Sequence, residues 1–415
     1  MWFGALLLTL GATLITSCSL LRVEHQVKEI NAHGVVGLEI SGLSTTATNY
    51  ALALTSIAKG TNEMVGFQTV GADGFAAFLL LQKRTYAIGA FTDLNGNRMY
   101  DGGEPVCLAT NIHPTSLADV EVRASPIRLR LSATNGLPRG QSFALPRENP
   151  ELGEAVSVTI GEIADLNNPK FSSEVGEMGM WKPFEFIQRY GIGVYFMEPY
   201  DPKRTPVLLV YGISGSPQDW RAILEKLDRR KHQLWFFQYP SGIRLDKAAN
   251  GLSSGILLLK QKYGFSQLDV VAHSMGGLVS RGAIQRTVSL AGTNFIPHFV
   301  TISTPWDGQG AAELAVKHLD FPVPSWRDMA PGSDYLKDIF SKPLPTGTRH
   351  DLIFSYKSSS SLSLPSENDG VVAVQSELLP EVQEQAASVL GVFQDHMGIL
   401  GSPITLQRVE KSLAR

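Results

Sequence analysis

Ser274 is the residue around which chemistry could be built. It stands in the stretch Leu268–Leu278, LDVVAHSMGGL, where an apolar run leads into Ala272-His273-Ser274-Met275-Gly276-Gly277. The apolar run Leu278-Val279-Ser280-Arg281-Gly282-Ala283-Ile284 follows with helical character. The pattern reads as a buried strand, a sharp turn and a helix, the nucleophile elbow G-x-S-x-G with Ala272 in place of the first glycine. A serine at such a turn sits in a strained backbone conformation while strand and helix close around it. Side chains two residues to either side must then be small, as Ala272 and Gly276 are. The turn exposes the hydroxyl at the C-terminal end of the strand, beside a helix N-terminus. The helix dipole and free N–H groups there favour developing negative charge.

The elements that must position Ser274 alternate between strand and helix from about residue 151 to the C-terminus. The first strands are expected near Ala155–Ile160 and Ile192–Met197, with a short helix between them over Trp181–Ile187. Pro206-Val207-Leu208-Leu209-Val210-Tyr211 is a continuous apolar run ending at Gly212-Ile213-Ser214-Gly215, which fits a strand buried on both faces of a parallel sheet. A helix over Gln218–Leu227, a strand over Gln233–Tyr239 and a helix over Leu245–Tyr263 precede the elbow. Strands over Ile296–Ser303, Asp351–Tyr356 and Ala387–Phe393 come after it. Right-handed crossovers would put the C-terminal ends of these strands along one edge. Between Gly308 and Thr348 a stretch rich in Pro, Trp, Phe and Met stands where a cap or lid could be inserted.

The assembled pattern resembles the α/β-hydrolase fold, a mostly parallel sheet flanked by helices, and within it the lipase- and esterase-like serine hydrolases. Tyr211-Gly212-Ile213-Ser214-Gly215-Ser216, Ala272–Gly277, Ser303-Thr304-Pro305, Asn368-Asp369-Gly370-Val371-Val372 and Asp395-His396-Met397 carry the resemblance. It spans roughly the last half to two-thirds of the chain. The resemblance implies an oxyanion hole made by the N–H groups of Ile213 and Met275. The usual His-Gly of the first loop is Tyr211-Gly212 here. It also implies a catalytic order of serine, acid, histidine. Only His396 follows the last expected strand; His273 and His298 fall too early, and His318 and His350 precede the acid loop. Asp369, in a Ser/Asn/Gly loop, is the expected acid, and Asp307 is the runner-up. Asp351 begins its strand, at the wrong end, and Asp395 is too close in sequence to His396 to face its ring. Together Ser274, Asp369 and His396 imply hydrolysis of a carboxylic ester by acyl transfer, with no cofactor required. An amidase or acyltransferase would use the same residues, and a degenerate binding lipoprotein is the alternative from another class.

From about Gly34 to Leu131 the sequence instead alternates in short runs separated by Gly, Asn, Asp and Pro, as in a small all-β sandwich. The expected strands there are Val35–Ile40, Tyr50–Leu54, Val65–Val70, Phe75–Leu81, Tyr86–Phe91, Asp119–Val122 and Ile127–Leu131. Residues 132–150, rich in Gly, Pro, Asn and Arg, read as a linker to a catalytic domain over 151–415. Within the sandwich, Asp93, Asn95, Asn97, Asp101 and Glu104 follow the ligand order of a calcium loop. The sixth position is Arg98 rather than Gly, and turns built on Asn-Gly and Asp-Gly give the same residues without a metal.

Trp2–Ile15 is an apolar run of signal-peptide length, and Ile15-Thr16-Ser17-Cys18 resembles a bacterial lipobox, although no Lys or Arg precedes it. The expectation is a signal over residues 1–18, lipidation of Cys18 and a tether to the bacterial envelope, with the following Ser19 favouring the outer membrane. Composition excludes other classes. A net charge of −3 gives no basic footprint for nucleic acid. Two cysteines, Cys18 and Cys107, supply neither a disulfide framework nor a Cys-rich zinc site. An ester or lipid substrate and a membrane are the expected partners; the sequence names no protein partner.

Overall fold

The computed structural model describes residues 17–56, 62–71, 74–116, 126–137, 143–146, 156–358, 364–365 and 367–414. Trp2–Ile15 and the expected strand Asp119–Val122 lie outside them. The backbone of Cys18 falls in helix α1 (Ser17–Ala32). The chain divides into two compact units: Lys28–Ile160 with Ile187–Ile192, and Met1–Val27 with Gly161–Phe186 and Gly193–Arg415.

The first unit holds two sheets. β1 (His33–Ser41) pairs antiparallel with β4 (Phe75–Leu81), which pairs in turn with β9 (Val156–Ile163) through Ser157 and Val156. Along its other edge β1 meets β7 (Thr115–Ser116) and, parallel to it, β8 (Ile127–Arg130). The second sheet has the order β3 (Asn62–Val70), β2 (Thr48–Ser56), β5 (Tyr86–Asp93), β6 (Val106–Ile112). Side chains alternate between the faces of a strand. Val36, Leu38 and Ile40 of β1 thus meet Ala51 and Ala53 of β2 and Ile88 and Ala90 of β5 in the core of a sandwich. The opposite residues of β2 and β5, Tyr50, Leu52, Leu54 and Phe91, form a second core with Phe143 and Leu145. Phe143 and Leu145 belong to the stretch expected as linker. Tyr100 N–H donates to Phe143 O and Leu145 N–H to Arg98 O, so these residues cover the sandwich sheet, and the compact unit extends to Ile160. Strand β6 escaped the sequence pattern because VCLATNI does not alternate: Thr110 and Asn111 near its end are polar and exposed.

The second unit is organised on a sheet in the order β16 (Ala386–Val392), β15 (Arg349–Ser355), β14 (His298–Ile302), β13 (Asp269–His273), β11 (Thr205–Val210), β12 (His232–Gln238), β10 (Ile192–Phe196). Neighbours from β16 to β12 are parallel, and β10 runs antiparallel to β12. β11 and β13 are buried along almost their whole length, as their unbroken apolar runs require. This is the α/β-hydrolase fold. The chain passes from β11 outward to β12 and then returns to the other side of β11 as β13. Such a reversal opens a crevice at the C-terminal ends of the two strands, between the Gly212 loop and Ser274.

Where one short helix was expected over 181–187, two occur, α2 (Ser173–Trp181) and α3 (Pro183–Tyr190). The residue before a proline is driven from the helical region, and Lys182 at φ −136° and ψ 60° breaks the run. The helices that follow are α4 (Arg221–Lys226), α5 (Leu245–Tyr263) and α6 (Met275–Ala291). Gly264 and Gly292, at φ 63° and 68°, end the latter two in left-handed caps. The stretch after Gly308 forms α7 (Gly310–His318), α8 (Pro324–Met329) and α9 (Asp334–Phe340). It is bonded to the helices beneath it: Asp328 accepts from the Leu245 N–H and pairs with Arg244, Tyr335 donates to Leu278 O, and Arg281 Nε donates to Ile339 O. The chain closes with α10 (Val374–Glu377), α11 (Pro380–Gln385) and α12 (Pro403–Leu413). Among the described residues no helix is long and apolar enough to cross a membrane.

Candidate active site

Ser274 adopts φ 54° and ψ −133° between the end of β13 and the start of α6. A non-glycine residue in such a region costs on the order of 1–3 kcal/mol, so its surroundings must impose it. Ser274 N–H donates to Ile302 O at 2.8 Å, and Gly277 N–H donates to Ser274 O at 2.9 Å. A Cβ at Gly276 would lie 2.3 Å from Val210 O and 2.5 Å from Tyr211 O, and one at Gly277 would lie 2.1 Å from Thr304 Oγ1. The glycines thus let α6 start directly against the ends of β11 and β14. Met275 is the first residue of α6, where an N–H has no acceptor within the helix.

The loop after β11 carries the second expected donor, Ile213. A Cβ on Gly212 would meet Ser274 Cβ at 2.7 Å and Oγ at 3.1 Å, so the loop backbone passes directly by the serine. Ser214, at φ 53°, donates its N–H to Ser241 Oγ at 2.9 Å, and Gly215 N–H donates to Gly212 O at 3.2 Å. Tyr211, found where His is usual, forms a reciprocal pair with Tyr239. Tyr211 OH donates to Tyr239 O at 2.5 Å and accepts from Tyr239 N–H at 2.8 Å, while Tyr239 OH donates to Tyr211 O at 2.7 Å. The rings stack with centroids 4.8 Å apart. Both phenols are buried, and burial pushes both well above their usual range. Two neutral tyrosines therefore tie the ends of β11 and β12 together directly before the Gly212 loop.

His396 follows β16, and its Nε2 lies 2.9 Å from Ser274 Oγ. Its Nδ1 lies 2.5 Å from Asp369 Oδ2. The imidazole backbone is held on both sides: His396 N–H donates to Asp369 O at 3.0 Å, and His396 O lies 2.9 Å from His273 Nε2. A carbonyl can only accept, so His273 donates from Nε2. Burial, with His396 beside it, pushes the His273 pKa down to about 3 and keeps it neutral. Asp369 is buried; Val371 and Val372 donate their N–H groups to its Oδ1 at 3.0 and 2.7 Å, and Ser355 Oγ donates to its Oδ2 at 2.7 Å. Burial by itself would raise this carboxyl, but the hydrogen bond and charge of His396, with the other donors, hold it below the usual carboxylate range. An imidazole held in this way can take a hydroxyl proton at Nε2 while its charge is balanced through Nδ1.

The other candidates lie elsewhere. Asp351 pairs with Arg349 near the start of β15, and His298 pairs with Asp269 at the start of β14 and β13. His350 is buried against Thr301, and Asp307 directs its backbone N–H to Ser376. In the 93–104 loop the oxygens are taken up locally. Asp93 accepts from the N–H groups of Gly96, Asn97 and Arg98, and Glu104 from those of Leu94 and Asp101. The amides of Asn95 and Asn97 both donate to Asp101. Among the described residues no group of three or more His, Cys, Asp or Glu side chains is arranged to hold a metal ion. The loop is a turn held together by its own hydrogen bonds. Sequence reasoning gave no supporting role to His273, Ser303, Ser355, Glu377 and Tyr239, which hydrogen-bond to the expected residues or to one another.

Residues 203–326, which include the Gly212 loop and Ser274, match the family described as "Putative serine esterase (DUF676)". No curated protein matches the sequence. Among solved structures the chain is similar to the lipase BlEst2 of Bacillus licheniformis in its mature form, at 18% identity and a TM-score of 0.42, over 52% of this chain and 96% of that one. It is also similar to lipase B of Aspergillus fumigatus, at 13% identity and a TM-score of 0.43, over 54% of this chain and 56% of that one.

Proposed function

We propose that this chain, a serine hydrolase of the lipase and esterase type, cleaves carboxylic esters of lipids or acylated molecules through Ser274, His396 and Asp369. The observation that carries the reading is the unbroken line from Ser274 Oγ to His396 Nε2 at 2.9 Å and from Nδ1 to Asp369 Oδ2 at 2.5 Å. In the proposed reaction His396 takes the Ser274 proton as the oxygen attacks the ester carbonyl. The Ile213 and Met275 N–H groups receive the oxyanion, each such donor being worth about a hundred- to a thousandfold in rate. The imidazolium then protonates the leaving alcohol. Afterwards His396 activates water, which releases the acid and restores the serine. Asp369 holds the Nδ1–H tautomer throughout.

The test is hydrolysis of p-nitrophenyl esters of increasing acyl length by protein starting after Cys18, with Ser274→Ala alongside. The expected result is turnover that disappears in Ser274→Ala with the melting temperature unchanged. Retained turnover in that variant would reject the serine. The sequence Ile15-Thr16-Ser17-Cys18 further supports lipidation of Cys18 and a tether to the bacterial envelope, on the outer membrane. Metabolic labelling with palmitate tests this. Label in the wild type and none in Cys18→Ser is expected; equal label in both would refute the tether.

A further inference from the structure

The buried side of the site continues beyond Asp369. Ser355, the last residue of β15 and fully buried, touches two carboxyl groups at once. Its Oγ donates to Asp369 Oδ2 at 2.7 Å, and its N–H donates to Glu377 Oε2 at 3.1 Å. Ser303, at the end of β14 and at φ 49°, lies with its Oγ 2.6 Å from Ser355 Oγ. The single hydroxyl proton of Ser355 is directed at Asp369, so Ser303 is the donor in that second contact. Glu377 ends α10 with 1% of its surface exposed. Its neighbour Ser376 anchors the segment, donating Oγ–H to Gly308 O and accepting the Trp306 N–H at its own carbonyl. Glu377 therefore stays inside, and its Oε1 is a buried oxygen with no hydrogen-bond partner among the described residues.

Two carboxyl groups on one serine in a water-excluded interior do not both ionise. Asp369 has the means to stay charged: an imidazole and two backbone N–H groups. Glu377 has one N–H donor, its carboxyl also hydrogen-bonds the Ser303 hydroxyl, and the charge facing it is that of Asp369. Burial and that charge push Glu377 well above the carboxylate range. The shared proton belongs on Glu377, as in other sites where a carboxylic acid is kept neutral to serve as a donor.

We propose that Glu377 is a positioning residue: with Ser355 and Ser303 it forms a neutral, hydrogen-bonded wall that fixes the Asp369 carboxylate against His396. This rests on the assignment of Ser274, His396 and Asp369 above. A buried glutamate that merely completed the fold would change stability without changing the His396–Asp369 contact.

The experiment compares Glu377→Gln, Glu377→Ala and Ser355→Ala with wild type and Ser274→Ala on one p-nitrophenyl ester. It follows kcat, KM, melting temperature and the far-downfield proton resonance of His396 Nδ1–H. Glutamine keeps a neutral donor and an acceptor, so Glu377→Gln should stay close to wild type in kcat and keep the resonance. Glu377→Ala and Ser355→Ala should lower kcat about ten- to a hundredfold, the worth of one hydrogen bond to a charged group, with KM unchanged and the resonance shifted or lost. If Glu377→Ala does not fold, Glu377→Gln and Ser355→Ala carry the test. Glutamine as damaging as alanine would overturn the neutral acid; wild-type kcat in Ser355→Ala and Glu377→Ala would overturn the positioning role. Activity surviving in Ser274→Ala would instead reject the underlying assignment, so the two failures are distinguishable.

Discussion

Replacing Asp369 by asparagine tests the reasoning most directly, because the structure dictates which way the new amide must face. Oδ1 of Asp369 accepts two backbone N–H groups, from Val371 at 3.0 Å and Val372 at 2.7 Å. Only the carbonyl oxygen of asparagine can take that position, so its NH2 group must occupy the position of Oδ2. Oδ2 is the atom that lies 2.5 Å from His396 Nδ1. A donor there forces Nδ1 to become an acceptor and puts the ring proton on Nε2, facing Ser274 Oγ. A protonated Nε2 cannot take the serine proton. Loss of the productive tautomer in a Ser-His-Asp site costs about 10⁴-fold in kcat, or about 5.5 kcal/mol of transition-state stabilisation. The volume and both backbone hydrogen bonds survive, so the fold should too. The assay is kcat and KM on a p-nitrophenyl ester near neutral pH, with a melting curve of the same sample. The expected outcome is a collapse of kcat with KM and the melting temperature little changed. An Asp369→Asn enzyme within tenfold of wild type would refute the tautomer argument and direct attention to Asp307.

Gly212→Ala would place a Cβ 2.7 Å from Ser274 Cβ; the shift it forces should lower kcat about a hundredfold, as small misplacements of reacting groups do, measurable on the same ester. Tyr239→Phe removes the hydroxyl that donates to buried Tyr211 O. It should cost about 1–3 kcal/mol in a denaturant melt and lower kcat more than it raises KM. His350 has its pKa pushed down to about 3 by burial and by Arg281. Below the ordinary histidine value of 6.5 the unfolded chain binds a proton there that the folded chain refuses until about pH 3, so stability falls as pH drops through that window. His350→Gln should therefore flatten the pH dependence of stability between those limits by about 1.4 kcal/mol per pH unit, read from melts at a series of pH values.

Much of the site was legible because its constraints are local. Gly276 and Gly277 are small since neighbouring backbone and Thr304 leave no room for more, and a steric demand of that kind is written in adjacent residues. The strands around the elbow read as unbroken apolar runs because both faces of the sheet are covered. Helix α5 was expected over Leu245–Tyr263 and occupies that range, since its apolar spacing ends at the left-handed Gly264. Other features were not local. Phe143 and Leu145 read as linker because nothing in a Pro- and Arg-rich stretch announces that a sandwich sheet needs a cover on its outer face. In the 93–104 loop the hydrogen bonds that the Asp93 and Glu104 carboxylates accept from the loop's own N–H groups are likewise not written in the spacing of its oxygens.

The sequence by itself determined the kind of fold and singled out Ser274 as the candidate nucleophile, through short-range sterics and the period of its apolar residues. Tertiary structure decided what stands behind them. Ser303, Ser355 and Glu377 are ordinary residues at or just past the ends of separate elements, and Tyr211 and Tyr239 directly follow two neighbouring strands. Their spacing along the chain encodes nothing about their hydrogen bonds. Parallel strands linked by helices bring distant strand ends to one edge, and burial at that edge turns each hydroxyl and carboxyl into a group that must find a partner. Which partner it finds depends on the sheet order, and that order exists only once the chain has folded.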